Sequence, residues 1–197
     1  MKGGIVTTPA THPYAARLAI DYPDRDLDRL STFFRLFYLI PIVTVLAFIG
    51  SMSLFGPTLL MIVFRQKYPR WWFDFNLQLT RFSTRVWAYG ALMSDEYPST
   101  TDEQYVHLDL DYPDAKTLNR FAPLWKWFLA IPHYLVVAVL ALASVVAVIV
   151  AWVIILITGR YPEGIHEFVA GVMRWGLRVN AYAFLLLTDE YPPFSLD

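Results

Sequence analysis

The sequence predicts an α-helical integral membrane protein made of two tandem pseudo-repeats, each with a short β-strand, a long apolar segment and an amphipathic helix. Two observations carry the membrane reading. Residues 36–64 and 127–157 run for 29 and 31 residues without Asp, Glu, Lys or Arg, and apolar runs beyond about 18 residues read as membrane segments. Of the 197 residues, 56% are hydrophobic and 17% charged, and the rest of the chain is too short to cover two such helices on all sides in water. A third observation gives the tandem organisation: the second half restates the first in order and at nearly constant offset. Asp21-Tyr22-Pro23-Asp24 recurs as Asp111-Tyr112-Pro113-Asp114, Ile40-Pro41 as Ile131-Pro132, Tyr68-Pro69 as Tyr161-Pro162, and Asp95-Glu96-Tyr97-Pro98 as Asp189-Glu190-Tyr191-Pro192. The chain divides into a tail at residues 1–13, a first unit at 14–98 and a second at 99–197.

Each unit opens with an alternating segment. Leu18, Ile20 and Tyr22 fall on one face in the first, and Val106, Leu108, Leu110 and Tyr112 in the second, which is strand patterning closed by a proline. Asp26 and Thr117 follow as expected helix N-caps. Then comes the apolar run. The first run carries Gly50, Ser51, Gly56 and Pro57 near its middle, where a helical hairpin turns; the second has only Ser144 among small apolar residues. Arg29, Arg35, Arg65, Lys67 and Arg70 flank the first run, and Lys116, Arg120, Lys126 and Arg160 the second, so both ends of each belong on the cytoplasmic side. That asks for an even number of crossings per unit. A hairpin plus an interfacial helix supplies it, as does one long crossing that returns through the third segment; the hairpin is preferred because the return path hides two arginines and an acid in lipid.

The third segment has helical spacing and a polar stripe. Asp74, Gln78, Arg81 and Arg85 in the first unit are matched by Glu167, Gly171, Arg174 and Arg178 in the second. Paired arginines on one face read as a site for an anion or lipid headgroup, at Arg81, Arg85, Arg174 and Arg178. The plainer reading is an interfacial helix with its stripe in water. His133, after Pro132, is a candidate polar group inside the membrane.

Composition excludes several chemistries. Sixteen basic against seventeen acidic residues leave no basic field for nucleic acid. Cysteine is absent, which removes disulfides and thiolate chemistry. The histidines show no ligand spacing, the carboxylates sit in turn motifs, and no phosphate-binding loop or nucleophile elbow occurs. No catalytic residue, metal or cofactor is expected. The first 30 residues have no apolar core followed by a small-residue cleavage site, so no cleaved signal peptide is expected and the N-terminus is placed in the cytoplasm.

The set Asp-Tyr-Pro, Ile131-Pro132-His133, Thr158-Gly159-Arg160-Tyr161-Pro162, Arg174-Trp175 with Arg178-Val179, and Asp189-Glu190-Tyr191-Pro192-Pro193-Phe194 resembles a bacterial membrane family. It is a domain-of-unknown-function family, numbered four-three-eight-nine, often present as two tandem copies. The first unit departs from its pattern at Phe64-Arg65-Gln66-Lys67, where Thr-Gly-Arg is not kept, and at residues 76–80. The resemblance implies a bacterial membrane protein and brings no activity with it; the expected location is the bacterial cytoplasmic (inner) membrane, crossed in several passes. The expected function is a non-catalytic accessory or scaffold subunit of a membrane protein complex, in contact with membrane lipids and that complex but not with nucleic acid. The alternatives are an anionic-lipid-binding or membrane-shaping protein, and a small transporter component.

Overall fold

A computed structural model describes residues 14–50, 55–102 and 104–197. In chain order the elements are β1 (Ala16–Ile20), α1 (Arg29–Phe33), α2 (Arg35–Gly50), α3 (Phe55–Arg65), α4 (Arg70–Gly90), β2 (Val106–Leu110), α5 (Pro123–Leu129), α6 (Ile131–Thr158) and α7 (Glu163–Ala183).

The two alternating segments form the strands and pair with each other. β1 and β2 run antiparallel with Leu18 opposite Leu108. Leu18, Leu108 and Val106 turn inward onto helices α4 and α7, in a core that includes Phe73, Val169, Ala170 and Leu177. Burying each such leucine stabilises the fold by about 1.5–3 kcal/mol.

The pairing belongs to a wider exchange between the units. β1 packs on α7 and β2 on α4, α1 packs on α6, and α3 packs on α5. Every one of these contacts joins one unit to the other. The polar contacts repeat the pattern under the pseudo-twofold relation. The Tyr22 hydroxyl donates to the Tyr161 carbonyl and its counterpart Tyr112 to that of Tyr68. The Tyr161 hydroxyl reaches Ala91 O at 3.1 Å, and Tyr68 reaches Leu185 O at 3.1 Å. Helices α4 and α7 both end ahead of a buried leucine in the left-handed region, Leu92 at φ 66° and Leu186 at φ 57°. A bulky side chain pays for that conformation, and in both units the burial of the leucine offsets the cost.

The expected architecture of an integral membrane protein with repeated hairpins is corrected here. Among the described residues one helix, α6, is long and apolar enough to cross a membrane. The second apolar run does not turn: with no breaker its main-chain bonding continues through 28 residues, about 42 Å at 1.5 Å per residue. It stops at Gly159, whose φ of 80° forms the cap. In the first run the described helices are α2 of 16 residues and α3 of 11, about 24 and 16 Å, each short of the roughly 30 Å hydrocarbon thickness. Pro57 sits in the first turn of α3, where its missing N–H costs nothing. The two halves of this run go to different partners, α2 to α4 and α3 to α5. Ser51, one of the expected hairpin residues, and the tail at residues 1–13 lie outside the described residues.

Two smaller expectations also change. Asp28 rather than Asp26 caps α1, its carboxylate accepting from the Leu30 amide at 3.0 Å, and Asp26 instead pairs with Arg160. Thr117 caps no helix; its hydroxyl donates back to Asp114 O within a turn. The stripes on α4 and α7 are not laid against water along their whole length: Asp74, Gln78 and Glu167 are exposed, but Arg85 and Arg178 are buried. These two are the central helices, with the sheet resting on them.

Candidate functional site

The arginine stripe can be followed residue by residue. Leu18 and Leu108 face each other in the sheet, and the main-chain bonds run through neighbouring pairs, from Asp21 N to Tyr105 O and from Asp111 N to Ala15 O. By the alternation of an antiparallel ladder the carbonyls of Leu18 and Leu108 therefore point outward, one on each edge. Arg174 donates to Leu18 O at 3.0 Å and Arg81 to Leu108 O at 2.9 Å. Both edges of a two-stranded ribbon are thus closed by a cation, which satisfies acceptors that would otherwise template another strand. Arg85 lies one turn on and donates to Ser99 O at 3.0 Å, and its counterpart Arg178 donates to the carbonyl of Asp197. Both are buried. Burial pushes the Arg178 guanidinium below its ordinary value, with Arg174 adding to the effect and Asp197 opposing it. The four guanidinium groups are brought together in two equivalent pairs, and in this conformation main-chain carbonyls occupy them.

His133 is fully buried in the chain's own aromatic packing. Its Nδ1 accepts from Trp175 Nε1 at 3.1 Å, and its ring stacks on Phe194 with centroids 3.9 Å apart. Phe194 belongs to the C-terminal arm, which crosses α7 where that helix carries Gly171. A Cβ on Gly171 would lie 2.9 Å from the carbonyl oxygen of Leu196, a main-chain atom that cannot swing aside. Gly171→Ala is therefore expected to lift the arm and destabilise the fold by about 1–3 kcal/mol. Gly176→Ala, on the same helix with nothing within 4 Å, should instead stabilise by up to about 1 kcal/mol. Paired thermal melts, with amide exchange at residues 194–197, check both signs.

The pairing that the spacing rules missed is a repeated buried ion pair. Arg35, 2% exposed in its side chain, meets Asp95 with Nη2–Oδ1 at 2.5 Å. Its other nitrogen donates to Ser94 O at 2.7 Å, and the guanidinium lies 4.1 Å from the centre of the Tyr89 ring. In the second unit Lys126, 3% exposed, meets Asp189 at 2.7 Å and donates to Thr188 O at 2.6 Å. Each aspartate also accepts a main-chain amide from the segment ahead of the helix, Asp95 from Asp28 at 2.6 Å and Asp189 from Asn119 at 2.7 Å. One carboxylate thus fixes both the beginning and the end of its unit. Burial pulls the Lys126 ammonium below its ordinary value against the opposing pull of Asp189. The sequence signal was present in the repeat: a cation five positions before Ile-Pro in both copies, with the acid kept in both.

Two clefts open beside these elements. One of about 610 Å³ is lined by Arg25, Asp26, Asp28, Tyr38, Tyr89 and Asp95 among others, over the first ion pair. A second of about 440 Å³ lies between the α3–α4 turn and the segment after β2. Among the described residues no three His, Asp or Glu side chains gather to hold a metal ion.

His166, on α7, is buried between Tyr22 and Tyr161, with ring centroids 5.2 and 5.7 Å away. Burial lowers its pKa below the ordinary 6.5 against the pull of Asp21 and Glu167. The folded chain thus binds fewer protons than the unfolded one once pH falls below about 6.5, so stability should decline as pH drops through that point and level off below the folded value. A His166→Phe variant should lose this part of the acid sensitivity in melts between about pH 5 and 7. Identical pH slopes for the two proteins would remove the assignment.

Fold and site together define a class: a tandem helical protein whose two units interlock through exchanged strands and helix ends, with one apolar helix of membrane-spanning length among the described residues. The chain matches the family described as domain of unknown function (DUF4389) over residues 29–101 and again over 121–195, and it belongs to that family. No curated protein and no solved structure matches it.

Proposed function

We propose that the chain is a non-catalytic accessory or scaffold subunit seated in the bacterial inner membrane, where its apolar helices meet lipid and a larger protein complex. The observation that carries this reading is the state of α6. Its most apolar 18-residue window has a mean hydropathy of 3.1 and is only 11% buried within the chain. A core helix of the same composition in a water-soluble protein is covered by its neighbours. Here Leu135, Val139, Leu142, Val146, Ile149 and Val153 face outward, an apolar surface far beyond what a soluble monomer leaves bare. Exposed Leu36, Phe37, Ile40 and Phe48 on α2 add to it. The rigid, interlocked sheet end supports a docking role, because its polar groups hold one another rather than lining an enclosed catalytic pocket.

Native mass measurement of the full chain extracted in mild detergent tests both halves of the proposal. Co-purification with one defined set of membrane proteins is expected. A lone chain in detergent would overturn the scaffold role, and a monodisperse chain in buffer without detergent would overturn the membrane seat.

A further inference from the structure

Sheet and helices are stacked in an order that decides how the apolar surface can meet lipid. On α7, Arg174 reaches the sheet at Leu18 O, and Ala170, Leu177 and Ala181 lie in the core shared with the strands. Trp175, Val179 and Tyr182 of the same helix pack instead on Tyr134, Val137 and Leu140 of α6. At about 100° per residue, the two sets centre about 150° apart around α7. Helix α4 repeats the arrangement, with Arg81 reaching Leu108 O and with Phe82 and Val86 turned to Leu39 and Ile42 of α2. Helices α4 and α7 are therefore a middle layer, with the sheet on one side and α2 and α6 on the other.

The two outer layers differ in chemistry. On the outward face of the sheet Arg17 pairs with Asp109 at 2.8 Å and with Asp111 at 2.6 Å, and His107 lies 2.9 Å from Asp21, all of them exposed. On the opposite side α6 presents an aliphatic arc, with Leu135, Leu142, Ile149 and Ile157 at 67%, 68%, 58% and 70% exposure. Between Leu135 and Ile157 there is no charged residue, and the one hydroxyl, on Ser144, is buried. Such an arc has no polar group to set the register of a protein partner, and it fits fluid hydrocarbon. By composition α6 is apolar all round; the cover supplied by α7 makes it one-sided.

We infer that α6 does not cross the bilayer but lies along it, with its aliphatic arc and the apolar side of α2 sunk in one leaflet and the charged sheet in water. The inference rests on the membrane seat proposed above and specifies its geometry. Ile165 packs near Ala151 and Ile155 at one end of α6, and Trp175 and Tyr182 pack near Tyr134 at the other, so α7 runs antiparallel along α6. The sheet, held at Arg174, is thus level with the middle of α6. An upright α6 carries that charged face to the centre of the membrane, where each charge is costly. Laid flat, the helix of about 42 Å has no thickness of about 30 Å to match. Arg120 and Arg160, exposed at the two ends of the run, then stay on one side of the membrane without a second crossing. Exposed Trp125 and Trp127 on α5, beside the start of α6, take the interfacial position that tryptophan favours.

The chain has no cysteine, so nitroxide labels can be placed one at a time through Leu135→Cys, Leu142→Cys, Ile149→Cys and Ile157→Cys. These positions fall within about 80° of one another on the outward arc. Ala19→Cys labels the exposed outer face of the sheet. The full chain is reconstituted in vesicles of phosphatidylglycerol and phosphatidylcholine, and the depth of each label is read from its collisions with oxygen against those with a water-soluble nickel chelate. The four α6 labels are expected to share one depth to within about 5 Å, about 5–10 Å into the leaflet, with the Ala19 position in water. An upright helix climbs about 33 Å from Leu135 to Ile157 at 1.5 Å per residue, which puts the two middle labels deepest and the end labels at opposite surfaces. That profile, or a label at Ala19 in lipid, would overturn the flat placement and leave the membrane seat standing. Four α6 labels in water would overturn the seat itself.

Discussion

Asp95→Ala is expected to cost the fold about 3–5 kcal/mol, the range found when one partner of a buried ion pair is removed. Arg35 is 2% exposed and Asp95 14% in their side chains, so water cannot take over the role of the carboxylate. The variant loses more than the pair. Asp95 also accepts the Asp28 amide at 2.6 Å, so α1 is released from the end of α4 at the same time. The Arg35 Nε already lacks a partner, and its guanidinium would be left with the Ser94 carbonyl and the Tyr89 ring alone. Arg35→Met with Asp95→Leu should recover most of the loss, because two apolar groups leave no charge stranded. Asp189→Ala should cost less, about 1–3 kcal/mol, since Asp189 is 36% exposed and Lys126 keeps Thr188 O. Denaturant unfolding in one fixed detergent gives all three values. A loss under about 1 kcal/mol for Asp95→Ala would mean that the pair is solvated.

How much of this was legible in the sequence depends on the range over which each interaction acts. The strands are local: alternation at Leu18 and Ile20, and from Val106 to Leu110, sets inward and outward faces within five residues, and both formed and paired. The repeat was legible because it is a comparison of the chain with itself. The hairpin was not, since Gly50 and Ser51 or their absence indicate where a helix can break and not where its halves will pack. α2 packs on α4 and α3 on α5, partners that the local sequence does not name. The stripe was seen as a pattern of charge, but Arg81 and Arg174 point at Leu108 and Leu18, strand carbonyls whose position no spacing on the helix reveals. Arg35 and Lys126 looked like charges flanking a membrane run because their acids lie 60 and 63 residues downstream. Asp28 displaced Asp26 as a cap because Arg160, from the other unit, occupies Asp26.

Expressed alone, residues 14–98 should fail to fold as a monomer, and co-expression with residues 99–197 should restore the folded protein. The reason lies in which surfaces each unit lacks. Without the second unit β1 has no partner strand, and a single strand is not stable in water. α1 loses α6, including the bond from Leu27 N to Gly159 O at 2.7 Å and that from Trp152 Nε1 to Thr32 O at 3.1 Å. α3 loses Arg120, which donates to the Val63 and Phe64 carbonyls at 2.5 and 3.1 Å and so covers its C-terminal end. Tyr68 keeps its buried hydroxyl but loses Leu185 O, its acceptor, at about 1–3 kcal/mol for an unsatisfied buried group. A domain is ordinarily stable by only about 5–15 kcal/mol, a margin that the loss of a strand partner, a packed helix and several buried hydrogen bonds is expected to remove. The second unit loses the equivalent set, so neither half is a domain although each is a complete repeat. Circular dichroism and size exclusion of the separate and co-expressed halves decide the matter. A cooperative melt from residues 14–98 alone, at a size matching one copy, would mean that the exchanged contacts decorate two independent units rather than hold one fold together.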